Sequence, residues 1–125
     1  MSAVSSSSMS AEIYLPLPKV AGANSRCHWV VRSKAASADR ATSSSAGKGL
    51  LRRPLPKAGL RIDWYCPTKR LIDCDNALSR CKSYIDGLTD AAWWVDDKAV
   101  RTMTITVHPP DGKMRGVVVI QAYPM

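Results

Sequence analysis

The stretch LRIDWYCPTKRLIDCDNALSRCKSYIDGLTDAA, residues 60–92, holds two periodicities in succession, and the switch between them decides the fold. Leu60, Ile62 and Trp64 alternate with Arg61, Asp63 and Tyr65, the period of two expected of a half-buried strand. After Asn76, Leu78, Cys81, Ile85 and Leu88 recur at helical spacing, while Arg80, Lys82 and Asp90 take other faces. This spacing predicts a helix over residues 76–92 with Asp75 as its N-cap, where a carboxylate can accept a backbone N–H that lacks a partner within the helix. Pro67, Lys69 and Arg70 form a basic turn that delivers the strand to the helix.

Working outward, Ile13, Leu15 and Leu17 alternate with Tyr14 and Pro16 and read as a short strand. Pro16 and Pro18 place it at a sheet edge or near its end, because proline has no N–H to give a ladder. Residues 1–10 are nearly all Ser, Ala and Met and are expected to be a disordered tail, with a single domain over 11–125. The tract from Val20 to Ser33 lacks sustained periodicity and reads as a long loop. A helix is predicted over 34–51, although the hydroxyls of Thr42, Ser43, Ser44 and Ser45 compete for backbone hydrogen bonds. Val100, Met103, Ile105 and Val107 suggest one further strand and residues 117–123 a second, joined by the hairpin chemistry of Pro109, Pro110, Asp111 and Gly112.

A chain of 125 residues suits one domain with one core. Eighteen Lys and Arg against ten acids give a formal net charge of +8. That surplus favours a polyanionic partner, nucleic acid first, through phosphate neutralisation and counterion release; solubility charge is the bland alternative. No window approaches the apolar length of a membrane span, and Ser5 to Ser8 stand where a signal peptide needs an apolar core, so a cytoplasmic protein is expected. Cys27, Cys66, Cys74 and Cys81 form no C-x-x-C pair, and only His28 and His108 could join them; reduced, mostly packed thiols are expected rather than zinc ligands.

The acids are concentrated. Six of the ten (Asp73, Asp75, Asp86, Asp90, Asp96, Asp97) fall between positions 73 and 97. Two carboxylates at i and i+2 on an extended backbone repel by about 2 to 3 kcal/mol at an effective dielectric near 20, a cost offset when a hard cation sits between them. Asp73 and Asp75 therefore read either as one metal-facing pair or as a solvated loop acid and a helix cap. Asp96 and Asp97 read as further ligands or as a solvated turn; a chain reversal beyond Ala92 would bring Asp97 back on a strand beside Asp73. Lys82 lies two helical turns beyond Asp75 on the same face, about 10 Å along the axis, and reads either as a charge-stabilising lysine or as an i, i+4 partner of Asp86. Trp93 and Trp94 suit the core, a dimer contact or stacking on unpaired bases.

Asp73-x-Asp75-Asn76, then Lys82, Asp86-Gly87-Leu88 and Asp96-Asp97, together resemble the signature of RusA-type Holliday-junction resolvases, small endonucleases often encoded by phages and prophages. The resemblance runs from about Glu12 to Pro124. It implies an α/β (α+β) domain with a small mixed sheet packed against helices, acting as a homodimer that cuts four-way DNA junctions symmetrically with Mg²⁺, or Mn²⁺ in its place. By position, Asp73, Asp75 and Asp97 resemble the metal-binding acids, Asp96 a further ligand or supporting group, and Lys82 the catalytic lysine. This chain has about three more residues between Asn76 and Lys82 than some members, close to one helical turn, which roughly keeps the face. Lys69, Arg70, Arg80, Lys98 and Arg101 surround the acids in sequence and are the candidates for phosphate contacts, or else solvated surface charges. Two competitors stand beside the resolvase: a nuclease acting on other branched DNA, and a basic DNA-binding module whose acids are caps and turn residues.

Overall fold

The computed structural model describes residues 10–20 and 29–125. The predicted tail, but for Ser10, and most of the predicted 20–33 loop, with Cys27 and His28, lie outside the described residues. Within them the chain runs β1 (Ala11–Pro16), α1 (Trp29–Gly47), β2 (Ala58–Tyr65), α2 (Cys74–Arg80), α3 (Lys82–Asp90), a 3₁₀ turn (Asp97–Ala99), β3 (Val100–His108) and β4 (Val117–Pro124). This is the expected mixed α+β class: one four-stranded sheet in the order β1-β4-β2-β3, with helices on one side.

The two strands read from alternation form where expected. In β1, Ile13 and Leu15 are buried while Glu12 and Tyr14 are exposed, and the strand lies at a sheet edge, as its prolines require. In β2, Leu60, Ile62 and Trp64 point into the core and Arg61 into solvent. β2 and β3 are parallel, from Ala58↔Val100 to Tyr65↔His108, so residues 66–99 form a crossover that returns the chain to the end of the sheet where β2 began.

Three expectations are corrected. β3 and β4 are not a hairpin pair. Asp111 and Met114 exchange backbone hydrogen bonds at 3.0 and 2.8 Å around Gly112, which has φ +59, but the strands flanking this tight turn are separated by β2. β4 instead inserts antiparallel between β1 and β2 because its apolar run, with Val118, Ile120 and Ala122 buried, suits a central strand. Second, the predicted 76–92 helix is two helices joined at Cys81, whose N–H is shared between the carbonyls of Ala77 and Leu78 at 3.1 Å each. Third, helix α1 already includes residues 29–33, which lack a periodic apolar face; its small residues instead allow close approach to α3. A Cβ on Gly87 would strike Ser43 Oγ and the Arg40 carbonyl, and Ser43 Oγ donates to the Tyr84 carbonyl at 2.8 Å.

Trp93 and Trp94 settle into the core, 0 % and 2 % exposed, which removes them from base stacking and from a dimer surface. Their indole N–H groups donate to the Gly47 carbonyl at 2.8 Å and to Thr89 Oγ1 at 2.7 Å. Burial of each such side chain contributes about 1.5–3 kcal/mol, and here it locks the reversal after α3 onto the end of α1.

Candidate functional site

Asp73 occupies the N-cap position of α2 in extended conformation, and its carbonyl accepts the Ala77 N–H at 2.9 Å. Its carboxylate makes no cap hydrogen bond and is exposed. The expected cap, Asp75, is instead inside the first turn, where Oδ1 accepts the Asn76 N–H at 2.9 Å. The helix starts two residues earlier than its apolar spacing indicated, because a cap is set by backbone geometry and not by the first buried side chain. Beside them, Asn76 Oδ1 is buried with no hydrogen-bond partner.

From Asp75 a stripe of side chains runs down the helices at helical spacing. Asp75, Leu78, Ser79, Lys82 and Ile85 line a largely apolar groove of about 430 Å³ closed by Met103 of β3. Lys82 also lines the next cavity, of about 340 Å³, with Asp86, Thr89, Asp97 and Arg40. The Lys82 ammonium donates to Asp86 Oδ1 at 2.9 Å, the i, i+4 pair that spacing allowed. Asp97 makes no ion pair among the described residues; Thr89 Oγ1 lies 3.3 Å from its Oδ1. Arg40 donates from Nε and Nη2 to the two oxygens of Asp90 at 2.6 and 2.9 Å. These hydrogen bonds hold the Asp90 carboxyl below the usual carboxylate range and push the Arg40 guanidinium further up.

Lys82 therefore lines one groove with Asp75 and the next cavity with Asp86 and Asp97, but the expected convergence of Asp97 upon Asp73 and Asp75 does not occur among the described residues. Among the described residues no group of three or more His, Cys, Asp or Glu side chains is placed to hold a metal ion. Topology is the reason. Asp73 and Asp75 open the crossover and Asp97 closes it, so the length of α2 and α3 lies between them; from Asp75 to Thr89, beside Asp97, the helical rise is on the order of 20 Å. Asp96 is a cap, its Oδ1 accepting the Lys98 N–H at 2.8 Å at the head of the 3₁₀ turn.

Magnesium takes one or two protein carboxylates and completes its shell with water and substrate oxygens. The carboxylates of Asp73 and Asp75, exposed beside the orphaned Asn76 oxygen, have the hard-oxygen chemistry for this, and Asp97 offers an unpaired carboxylate at the other end of the stripe. The donor types fit; a three-aspartate cage does not form in one chain.

Of the five basic candidates, Lys69, Arg70, Lys98 and Arg101 are exposed. Arg80 is turned inward: Nε and Nη2 donate to the carbonyls of Val20 and Pro18 at 3.1 and 2.8 Å, and its guanidinium lies 5.1 Å from the Trp64 ring centre. It clamps the chain after β1 and is withdrawn as a phosphate contact. Sequence reasoning missed Arg40 and Thr89 altogether. Thr89 sits at helical spacing below Lys82 and Asp86 and was findable; Arg40 comes from another helix, with no local signal.

No family model matches this chain. An uncharacterized protein of Xylella fastidiosa is 40% identical over 90 residues, covering 67% of this chain and 58% of that protein. The chain thus spans less than two thirds of the relative it matches. No helix among the described residues is long and apolar enough to cross a membrane.

Proposed function

We propose that this protein is a metal-dependent, structure-selective DNA endonuclease similar to the RusA-type resolvases, cutting four-way junctions by paired phosphodiester hydrolysis. The observation that carries the reading is the position of Lys82: one exposed lysine lining a groove headed by Asp75 and a cavity bordered by Asp97, on a molecule of net charge +8. A lysine between carboxylates suits phosphodiester hydrolysis, the acids serving to hold a metal ion and the lysine to offset charge on the phosphate.

Asp73 and Asp75 would hold Mg²⁺, or Mn²⁺, with Asp97 at the far end of the stripe. The bound ion would supply an activated water and polarise the phosphate. Lys82, steadied by Asp86, offsets charge that grows on the phosphate oxygens in the transition state. Lys69, Arg70, Lys98 and Arg101 deliver the backbone by charge. As a homodimer, two copies about a two-fold axis would present equivalent sites to two equivalent strands, so symmetry accounts for paired incisions. The free thiols of Cys66, Cys74 and Cys81 agree with action in the reducing cytoplasm.

The capping role of Asp96 and the separation of the acids favour a second reading, a basic DNA-binding module without catalysis. End-labelled four-way junction and linear duplex, each incubated with Mg²⁺ or chelator, separate the two. The nuclease reading expects symmetric nicks confined to the junction and dependent on Mg²⁺, with Asp75→Asn binding the junction at wild-type affinity yet cutting at least a hundredfold more slowly, about 2.7 kcal/mol in the barrier. Equal cutting by wild type and Asp75→Asn, or none by either, ends it.

A further inference from the structure

Arg40 stands outside the acidic stripe in sequence but inside its lower cavity in space, where it lines the wall with Lys82, Asp86, Thr89 and Asp97. Its backbone is fixed: at Gly87 α3 has no side chain to hold α1 away, and the Arg40 carbonyl lies against that glycine. Its guanidinium is fixed too, because Asp90 engages Nε and one N–H of Nη2 through both carboxylate oxygens. A guanidinium has five N–H donors, and no described residue takes the other three. Asp90 thus orients a planar fork whose remaining edge is unclaimed, the geometry in which arginine recognises phosphate oxygens.

The Arg40–Asp90 pair is a surface ion pair, 53 % and 41 % exposed, and adds little stability; what sets it apart is the cavity and the second cation beside it. Here Lys82 shares the cavity, already tethered to Asp86 at 2.9 Å. With Asp90 on Arg40 counted beside Asp86 and Asp97, three carboxylates face the two cations, so a free phosphate ion gains nothing from local charge. A DNA phosphate differs, because the +8 charge of the whole molecule brings it to the surface and the fork then has only to grip it. We propose that Arg40, oriented by Asp90, is a phosphate-gripping residue that holds one DNA phosphate in the cavity beside Lys82. The inference rests on the nucleic-acid reading above but not on cleavage.

The test is binding of a fluorescent four-way junction by the full chain in chelator, followed by anisotropy over a salt series. Arg40→Ala is expected to weaken binding about tenfold and to reduce the slope of log affinity against log salt by about 1. Arg40→Lys keeps the slope, since its charge remains, but loses affinity a few-fold because an ammonium has no fork. Inorganic phosphate does not compete at concentrations that leave ionic strength unchanged. Wild-type affinity and slope in Arg40→Ala overturn the inference while leaving the nucleic-acid reading intact; failure of the wild type to bind DNA removes both. Should Arg40→Ala not fold, Arg40→Lys decides: a few-fold loss supports the grip, and undiminished affinity refutes it.

Discussion

Asp39 is a buried carboxylate, 2 % exposed, that accepts the backbone N–H groups of Lys19 and Val20, one on each oxygen, at 2.9 Å each. Arg80 takes the carbonyls on the other side of the same segment, and Tyr84 Oη donates to the Pro16 carbonyl at 2.6 Å. Three side chains, one each from α1, α2 and α3, thereby take up backbone groups of the segment from Pro16, the last residue of β1, to Val20. Cys81 lies among them, and burial pushes its thiol up to about 12 from an ordinary 9.0; burial raises the neighbouring Tyr84 phenol as well. Both groups hold their protons more tightly folded than unfolded. Their contribution to stability is therefore complete below pH 9 and is lost as pH climbs from there towards 12. Urea midpoints should be level from pH 7 to 8.5 and fall between pH 9 and 11, and the fall should be shallower in Cys81→Ala; parallel curves for the two proteins would contradict the assignment.

At the scale of elements, α3 stops in a left-handed residue. Ala92 has φ 62, its N–H donates to the Thr89 carbonyl at 3.0 Å, and the Trp93 N–H reaches the Leu88 carbonyl at 3.1 Å, the paired bonds of a Schellman cap. Glycine usually fills that position, since an L side chain there costs about 1–2 kcal/mol. The strain is tolerated because Trp93 and Trp94, delivered immediately after it, bury completely. Ala92→Gly should raise stability by about 0.5–1 kcal/mol, the strain relieved less the entropy glycine adds to the unfolded chain, seen as a higher urea midpoint at unchanged m. A lower midpoint would show that the cap is not strained. The Lys82–Asp86 pair on the same helix contributes only a few tenths of a kcal/mol to stability.

For the molecule as a whole, the last strand is a central one. β4 pairs with β1 on one side and β2 on the other, so the sheet cannot close until β4 is in place. Removal of residues 117–125 should leave β1 without a strand partner and abolish cooperative thermal unfolding by circular dichroism. A sharp transition in the truncated chain would mean that the first three strands pair in some other way. The same topology separates the acids. A parallel β2–β3 pair obliges the crossover to run the length of the sheet, which sets Asp73 and Asp75 at one end and Asp97 at the other.

Local alternation and helical spacing were enough to read β1, β2, β3 and the amphipathic face of α3, because each depends on neighbours within a few residues along the chain. Lys82 on one face with Asp75, and its pairing with Asp86, were legible for the same reason. The break at Cys81, the early start of α1, the central place of β4, the inward turn of Arg80 and the entry of Arg40 into the cavity depend on what lies across the core. They follow from contacts between residues far apart in the chain, such as Arg40 with Asp90, Arg80 with Val20 and Ala11 with Ala122, and no periodicity in a single segment encodes those.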